Sequence, residues 1–228
     1  MIFKIEIFFV LTFVSLCSAN VLTALAGEIK KESIAVGQDW VSPEDKEYKV
    51  EKYIDHGRRS EVYLIIDKKT NLQYALKVAR KNNEETLRSL NKEQKKVLDI
   101  LKTGEPTAAL VEAGTNYVIR EYIEGTRGDE WLKRWVENGY SLQDPALLAL
   151  AELYKRVAEK NFYIGDLNRK NLIWTPSGKW VVVDSGDIFE NVGYQESIER
   201  SIAKFKGWSR ATKKCDALLI VDAIRSVF

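Results

Sequence analysis

The chain has 228 residues, of which 45% are hydrophobic and 30% charged, with a net charge of +2. That length suits one domain or two small lobes sharing a cleft, and the apolar content permits a real core. The near balance of charge gives no support for a nucleic-acid-binding stripe or a polybasic membrane patch, and no repeat or low-complexity segment is visible.

The first 26 residues stand apart. Lys4 precedes a mostly apolar run over 5–16, interrupted by Glu6, and Ala24-Leu25-Ala26 follow before Gly27. This is the pattern of a secretory signal peptide cleaved after Ala26, with Ala19 as a second possible site and a retained anchor as the other reading. Cleavage predicts a secreted protein without stable membrane association. It removes Cys17, so the mature chain carries one thiol, Cys215, and no internal disulfide. Residues 27–47 are polar and irregular and read as a linker or flexible arm.

Strand patterns begin near Tyr48. Residues 48–68 read as two strands joined at His56-Gly57, and 71–80 as a third strand carrying Lys77 between Leu76 and Val78. A lone glycine in a hairpin is ordinarily only a turn, and Lys77 either faces water or needs a partner if it points inward. Residues 82–102 form one predicted helix. Asn82 or Asn83 can cap it, and Glu84 and Glu85 suit its first turn. Leu87, Leu90, Val97, Leu98 and Leu101 make one stripe, and Glu93 falls inside it. Glu93 is either a buried carboxylate with a cationic partner or a residue at the stripe's edge. Residues 108–125 read as a hairpin turning at Gly114-Thr115-Asn116.

The remainder is largely helical. Trp131, Leu132, Trp135 and Val136 have helical spacing over 128–138. A longer helix starts at Asp144-Pro145, with Pro in the first turn, and carries Leu147, Leu148, Leu150, Leu153 and Val157. Two apolar runs, 171–174 and 180–183, flank a turn at Pro176, Ser177 and Gly178. Asp166 precedes the first run, Asn171 follows Asp166 by five positions, and Asp184 ends the second. Taken alone, this is either an ordinary polar hairpin or a set of oxygen donors gathered for chemistry. Residues 194–206 and 214–227 read as two last helices.

In order, Gly57, Val62, Lys77, Glu93, Asp166, Asn171 and Asp184 resemble the motif residues of the protein-kinase superfamily. The family's H-R-D-L-x-x-x-N appears with Ile164 and Gly165 in place of His and Arg, and D-F-G reads Asp184-Ser185-Gly186. Of G-x-G-x-x-G-x-V, Gly57 and Val62 remain, with Asp55 and Ser60 where two glycines stand in the family. Ala75-Leu76-Lys77 resembles V-A-I-K, and Lys77 follows Val62 by the family's fifteen positions. Only 44 residues follow Asp184, and no A-P-E motif is found among them.

The resemblance implies an α+β, two-lobed protein-kinase-like fold. It has an antiparallel-sheet N-lobe with one helix over 48–125 and a reduced helical C-lobe over 126–228 lacking a full activation segment. It implies ATP and Mg²⁺, with Asp166 as base, Lys77 paired to Glu93 on the phosphates, and Asn171 and Asp184 as metal ligands. Glu84 or Glu85 replaces Glu93 if the helix register differs. Gly57 and Val62 would cover the nucleotide, and the backbone of Glu121 and Ile123 would bind adenine. Arg120 falls at the gatekeeper place, where the family usually has an apolar residue. Loss of the H-R-D arginine implies no control by activation-loop phosphorylation.

Size, export signal and the missing segment resemble compact Ser/Thr kinases that bacteria secrete into host cells. Known members of that group phosphorylate host proteins, one of them a chaperone, and one type is stimulated by a ubiquitin-loaded conjugating enzyme. A host protein substrate and a host activating partner are therefore expected, and no nucleic acid. Two other classes share much of the pattern: a pseudokinase acting as a binding module, and small-molecule phosphotransferases of the aminoglycoside and choline kinase type.

Overall fold

The computed structural model describes residues 34–81, 83–139, 141–165, 167–184, 187–209 and 225. The expected leader, both cysteines, Asp166, Ser185-Gly186 and the helix over 214–227 lie outside the described residues, apart from the helical Arg225.

The first strands are β1 (Asp39–Val41), β2 (Glu47–His56), β3 (Ser60–Asp67) and β4 (Gln73–Ala79). Two helices follow, α1 (Glu84–Asn91) and α2 (Glu93–Thr103), then β5 (Leu110–Ala113) and β6 (Tyr117–Glu121). The six strands form one sheet in the order β1-β2-β3-β4-β6-β5, antiparallel along β1-β2-β3. Within 27–47, expected to be irregular, residues 39–41 form β1. Its Trp40 is buried, stacks on Tyr48 at 5.6 Å and meets Tyr117 edge-on. One large buried ring supplies much of the apolar area that docks this segment, with Ile34 also buried and Val41 exposed.

The helix expected over 82–102 is divided at Lys92. Between Leu90 and Val97 the sequence is Asn-Lys-Glu-Gln-Lys-Lys, which leaves nothing apolar to bury. Leu90 and Thr86 anchor α1, while Val97 and Ile100 anchor α2. Leu98 and Leu101, expected on the buried stripe, are exposed, and Ile100 takes that place. Gly104 ends α2 with a left-handed φ of 76°, donating its N–H to Leu101.

The rest of the chain comprises β7 (Thr126–Arg127), α3 (Gly128–Glu137), α4 (Pro145–Glu159), β8 (Phe162–Ile164), β9 (Leu172–Trp174), β10 (Trp180–Val182), β11 (Ile188–Glu190) and α5 (Tyr194–Ser209). β10-β9-β7 form a small sheet, and β8 pairs with β11. Asp144 caps α4, accepting from the N–H groups of Ala146 (2.9 Å) and Leu147 (3.1 Å).

The chain divides into two compact units. The first comprises Met1–Leu72, Leu76–Asn91 and Glu112–Ile119, and the second Gln73–Ala75, Lys92–Val111 and Arg120–Phe228. Tyr48, Ile65, Leu76, Tyr117 and Ile119 are fully buried in the first. In the second, α3 and α4 close over β9 and β10, with Leu132, Leu147, Leu150, Leu153 and Leu172 at the centre. Trp180 meets Trp131 edge-on at 5.5 Å and donates its indole N–H to the Ala146 carbonyl (2.7 Å). That bond satisfies the polar end of a buried ring and ties the β9-β10 hairpin to the start of α4. Of the stripes expected on α3 and α4, most residues lie in the core of this unit, while Val136 packs against it and Leu148 is only half-buried.

Candidate functional site

In the first unit, β2 and β3 turn over 57–59. Gly57 donates to the Ser60 carbonyl (2.8 Å), and Arg80 donates to the Arg59 carbonyl (2.9 Å). A methyl group on Gly57 would come no closer than 3.8 Å to Ser60 Oγ, so this turn has no steric need for glycine. Val62, opposite Asp55, is half-buried on β3. Lys77 is half-buried on β4, between the buried Leu76 and Val78. Alternation along the strand puts its side chain on the face opposite theirs. Arg59 pairs with Glu85 of α1, and Arg58 reaches the same carboxylate at 3.4 Å. The Arg59 pairing holds the Glu85 carboxyl below its usual range. Glu85, the fallback partner for Lys77, is thus occupied by the arginines of the turn.

In the second unit the residues before β9 form a tight loop. Asn168 Oδ1 accepts from Lys170 N–H (2.8 Å), the Asn168 carbonyl accepts from Asn171 N–H (2.9 Å), and Tyr154 of α4 donates to the Leu167 carbonyl (3.3 Å). Burial pushes the Tyr154 phenol well up from its ordinary value, so it remains a donor. Gly128 lets the loop approach α3, since a methyl there would sit 2.5 Å from the Arg169 carbonyl oxygen. Gly165, where the family carries arginine, donates to the Asp187 carbonyl (2.8 Å), and a methyl on it would lie 2.7 Å from that same oxygen. The backbone of residue 187 fills the space an arginine side chain would leave by.

Asn171 and Asp184 are brought together by the hairpin. Val182 lies opposite Leu172, and beyond them Val183 donates to the Asn171 carbonyl (2.9 Å). The two residues therefore stand at the open end of β9-β10. Among the described residues no group of three or more His, Cys, Asp and Glu could hold a metal. Mg²⁺ ordinarily takes one or two carboxylates, waters and substrate phosphates, so one carboxylate and one amide oxygen fit it. Lys96 of α2 reaches Asp184, with Nζ 3.9 Å from Oδ1.

Arg120, at the end of β6, is buried and bound to its neighbours. It donates to the Ala108 carbonyl through Nη2 (2.9 Å) and Nε (3.3 Å), to Thr107 Oγ1 (3.0 Å) and to the Val183 carbonyl (2.6 Å). Glu121 donates its N–H to the Ala109 carbonyl (2.8 Å), which takes that N–H out of reach of a ligand. Ile123 follows the strand, half-buried. Glu93 opens α2, and its side chain lies outside the described set.

Lys77 stands on β4 as expected, whereas the hairpin strands are shorter than expected, so Asn171 lies just before β9 and Asp184 two residues beyond β10. Sequence reading missed Lys96, which has no sequence signature within a polar run, and the arginine pair at the turn, whose only signal is Arg58-Arg59 beside Gly57.

No protein-family model matches the sequence, and no curated protein matches it. Among solved structures, the chain is similar to that titled "Crystal structure of BubR1 kinase domain", with a TM-score of 0.56 and 14% sequence identity. The match covers 82% of this chain and 61% of that one, so this chain spans about three-fifths of that domain's length. The likeness shows the fold. The protein has an α+β, protein-kinase-like fold, with a sheet part and a helical part as expected; the sheet gains β1 as a sixth strand, and two helices stand where one was expected.

Proposed function

We propose that the protein is an ATP-dependent phosphotransferase that moves the γ-phosphate to a Ser or Thr hydroxyl of another protein. The observation that carries this reading is the Val183 N–H to Asn171 carbonyl bond, which puts Asn171 and Asp184 at one end of a hairpin in a protein-kinase-like fold. In this reading Asp166 takes the acceptor proton. Lys77, with Glu93, fixes the phosphates, and Gly57 and Val62 cover the nucleotide. The Glu121 carbonyl and the Ile123 backbone meet adenine, and Asn171 and Asp184 are the oxygens for Mg²⁺. When bound, Mg²⁺ neutralises charge on the phosphates.

The test is incubation with γ-labelled ATP and candidate acceptor proteins. Wild type is expected to label protein, and Asp166→Ala and Asp184→Ala are expected to lose transfer, with Asp166→Ala still binding nucleotide. Unchanged incorporation in Asp166→Ala refutes the assignment. Export into a host cell, a host substrate such as a chaperone and a host activating partner belong to the same proposal. The export part is supported by the pattern of the first 26 residues. N-terminal sequencing of the exported protein should begin at Gly27, and a start at Met1 removes the export reading.

One observation favours a second reading, a nucleotide-independent binding module. Asp184 already has the Lys96 ammonium beside it. A ligand that binds the native state must raise the melting temperature, so absence of any shift with Mg·ATP selects the binding module.

A further inference from the structure

We propose that Arg120 is a positioning residue for the metal-holding carboxylate of Asp184, acting through the peptide that precedes it. This rests on the phosphotransferase reading and adds to it a residue that the family pattern would leave apolar. The Val183 peptide groups are held from two sides. Its N–H goes to the Asn171 carbonyl (2.9 Å), and its carbonyl accepts from Arg120 Nη1 (2.6 Å). The neighbouring Val182 is held as well, donating to the Pro106 carbonyl (3.0 Å) and accepting from Thr107 Oγ1 (2.7 Å).

Four backbone groups in succession are thus tied down immediately before Asp184. The Val183 carbonyl lies in the peptide plane that carries the Asp184 Cα, so the Arg120 bond fixes the position of that Cα relative to Asn171 most directly. A guanidinium suits this task. Its planar fork reaches two carbonyls and a hydroxyl at once, and bonds from a charged donor are about twice as strong as neutral ones. An apolar residue at 120 would leave the buried Ala108 carbonyl and the half-buried Val183 carbonyl without these donors, and would release the last of the four ties before Asp184.

The experiment uses the full chain, with melting temperature and γ-phosphate transfer both measured against Mg²⁺ concentration, ADP serving in the first and ATP in the second. Groups that orient a metal ligand typically contribute about 10–100-fold to metal affinity or activity. Arg120→Met is therefore expected to raise the Mg²⁺ midpoint about tenfold or more in both measurements. Arg120→Lys should fall between, because one ammonium cannot serve Ala108 and Val183 together. Thr107→Val removes one acceptor of Arg120 and the bond to Val182 while leaving the Arg120–Val183 bond. It should lower the melting temperature yet keep the Mg²⁺ midpoint within about threefold.

A midpoint unchanged in Arg120→Met overturns the positioning role while the phosphotransferase reading stands. If Arg120→Met does not fold, Arg120→Lys decides by the same criterion. Equal midpoint shifts in Thr107→Val and the Arg120 variants reduce Arg120 to general support and also overturn it. Wild type showing neither Mg²⁺-dependent transfer nor an Mg²⁺-dependent shift removes the phosphotransferase reading itself, and this inference with it.

Discussion

Replacing Gly165 by alanine tests why the family's arginine is missing beside Asp166. The added methyl would lie 2.7 Å from the Asp187 carbonyl oxygen and 3.3 Å from the Phe189 ring. The first contact is with backbone, which cannot rotate away, so β8 and β11 must part. Forcing a group into a packed site costs about 1–3 kcal/mol. Loss of the 2.8 Å bond from Gly165 N–H to that same oxygen adds about 1 kcal/mol. A destabilisation of about 3 kcal/mol follows, which lowers Tm by about 6–12 °C in a protein of this size. Gly57→Ala is the control, since its methyl has room and should change Tm by less than about 2 °C. Tryptophan fluorescence during urea unfolding reads both variants. If Gly165→Ala is as stable as Gly57→Ala, the close approach does not explain the missing arginine.

Other expectations concern ion pairs and titration. Glu105 is buried and receives two bonds from Arg156, at 3.0 and 2.9 Å, while Arg156 is about half exposed. Arg156→Met strands a buried carboxylate and should cost about 2 kcal/mol after allowance for water at the arginine, whereas the double replacement with Glu105→Met should cost less than that single change. A double variant as unstable as the sum of the two singles refutes this. Burial and the bond it donates to Glu61 push Tyr63 up to about 12; burial also pushes up Tyr154, and burial with a bond to Glu112 does so for Tyr117. Raised phenols stabilise the fold below their ordinary value of about 10 and withdraw that support as pH climbs towards the folded values. Melting temperature should therefore fall above about pH 10, with three tyrosines ionising late by absorbance; simultaneous ionisation of every tyrosine near pH 10 in the folded protein contradicts it. Finally, Lys96→Met removes a positive charge 3.9 Å from Asp184 and should lower the Mg²⁺ requirement about two- to fivefold, the range of a partly exposed pair. A raised requirement would mean that Lys96 holds Asp184 in place instead.

Much of the secondary structure follows from local pattern. The hairpins at 57–59, 114–116 and 175–179 carry their turn residues, and α4 carries its cap and its proline, so short-range chemistry suffices to locate them. The spacing from Asn171 to Asp184 is of the same kind, because two strands and a tight turn leave only one register in which the apolar residues pair. Other features depend on partners distant in sequence. Nothing near Trp40 says that Tyr48 and Tyr117 will receive it, and nothing in the helical stripe says that Leu98 and Leu101 face outward while Ile100 faces in.

The identities and order of the nucleotide-site candidates were set by the sequence alone, because motif spacing and strand alternation are local properties. Tertiary structure decided what surrounds them. It turned Arg120 from an anomaly into a donor to Val183, sixty-three positions later, and it set the Asp187 carbonyl where a side chain on residue 165 would have to pass. The physical reason is the same in both cases. A buried polar group must find its partner wherever folding brings one, and a glycine is demanded by whatever backbone comes close, so neither can be read from neighbours along the chain.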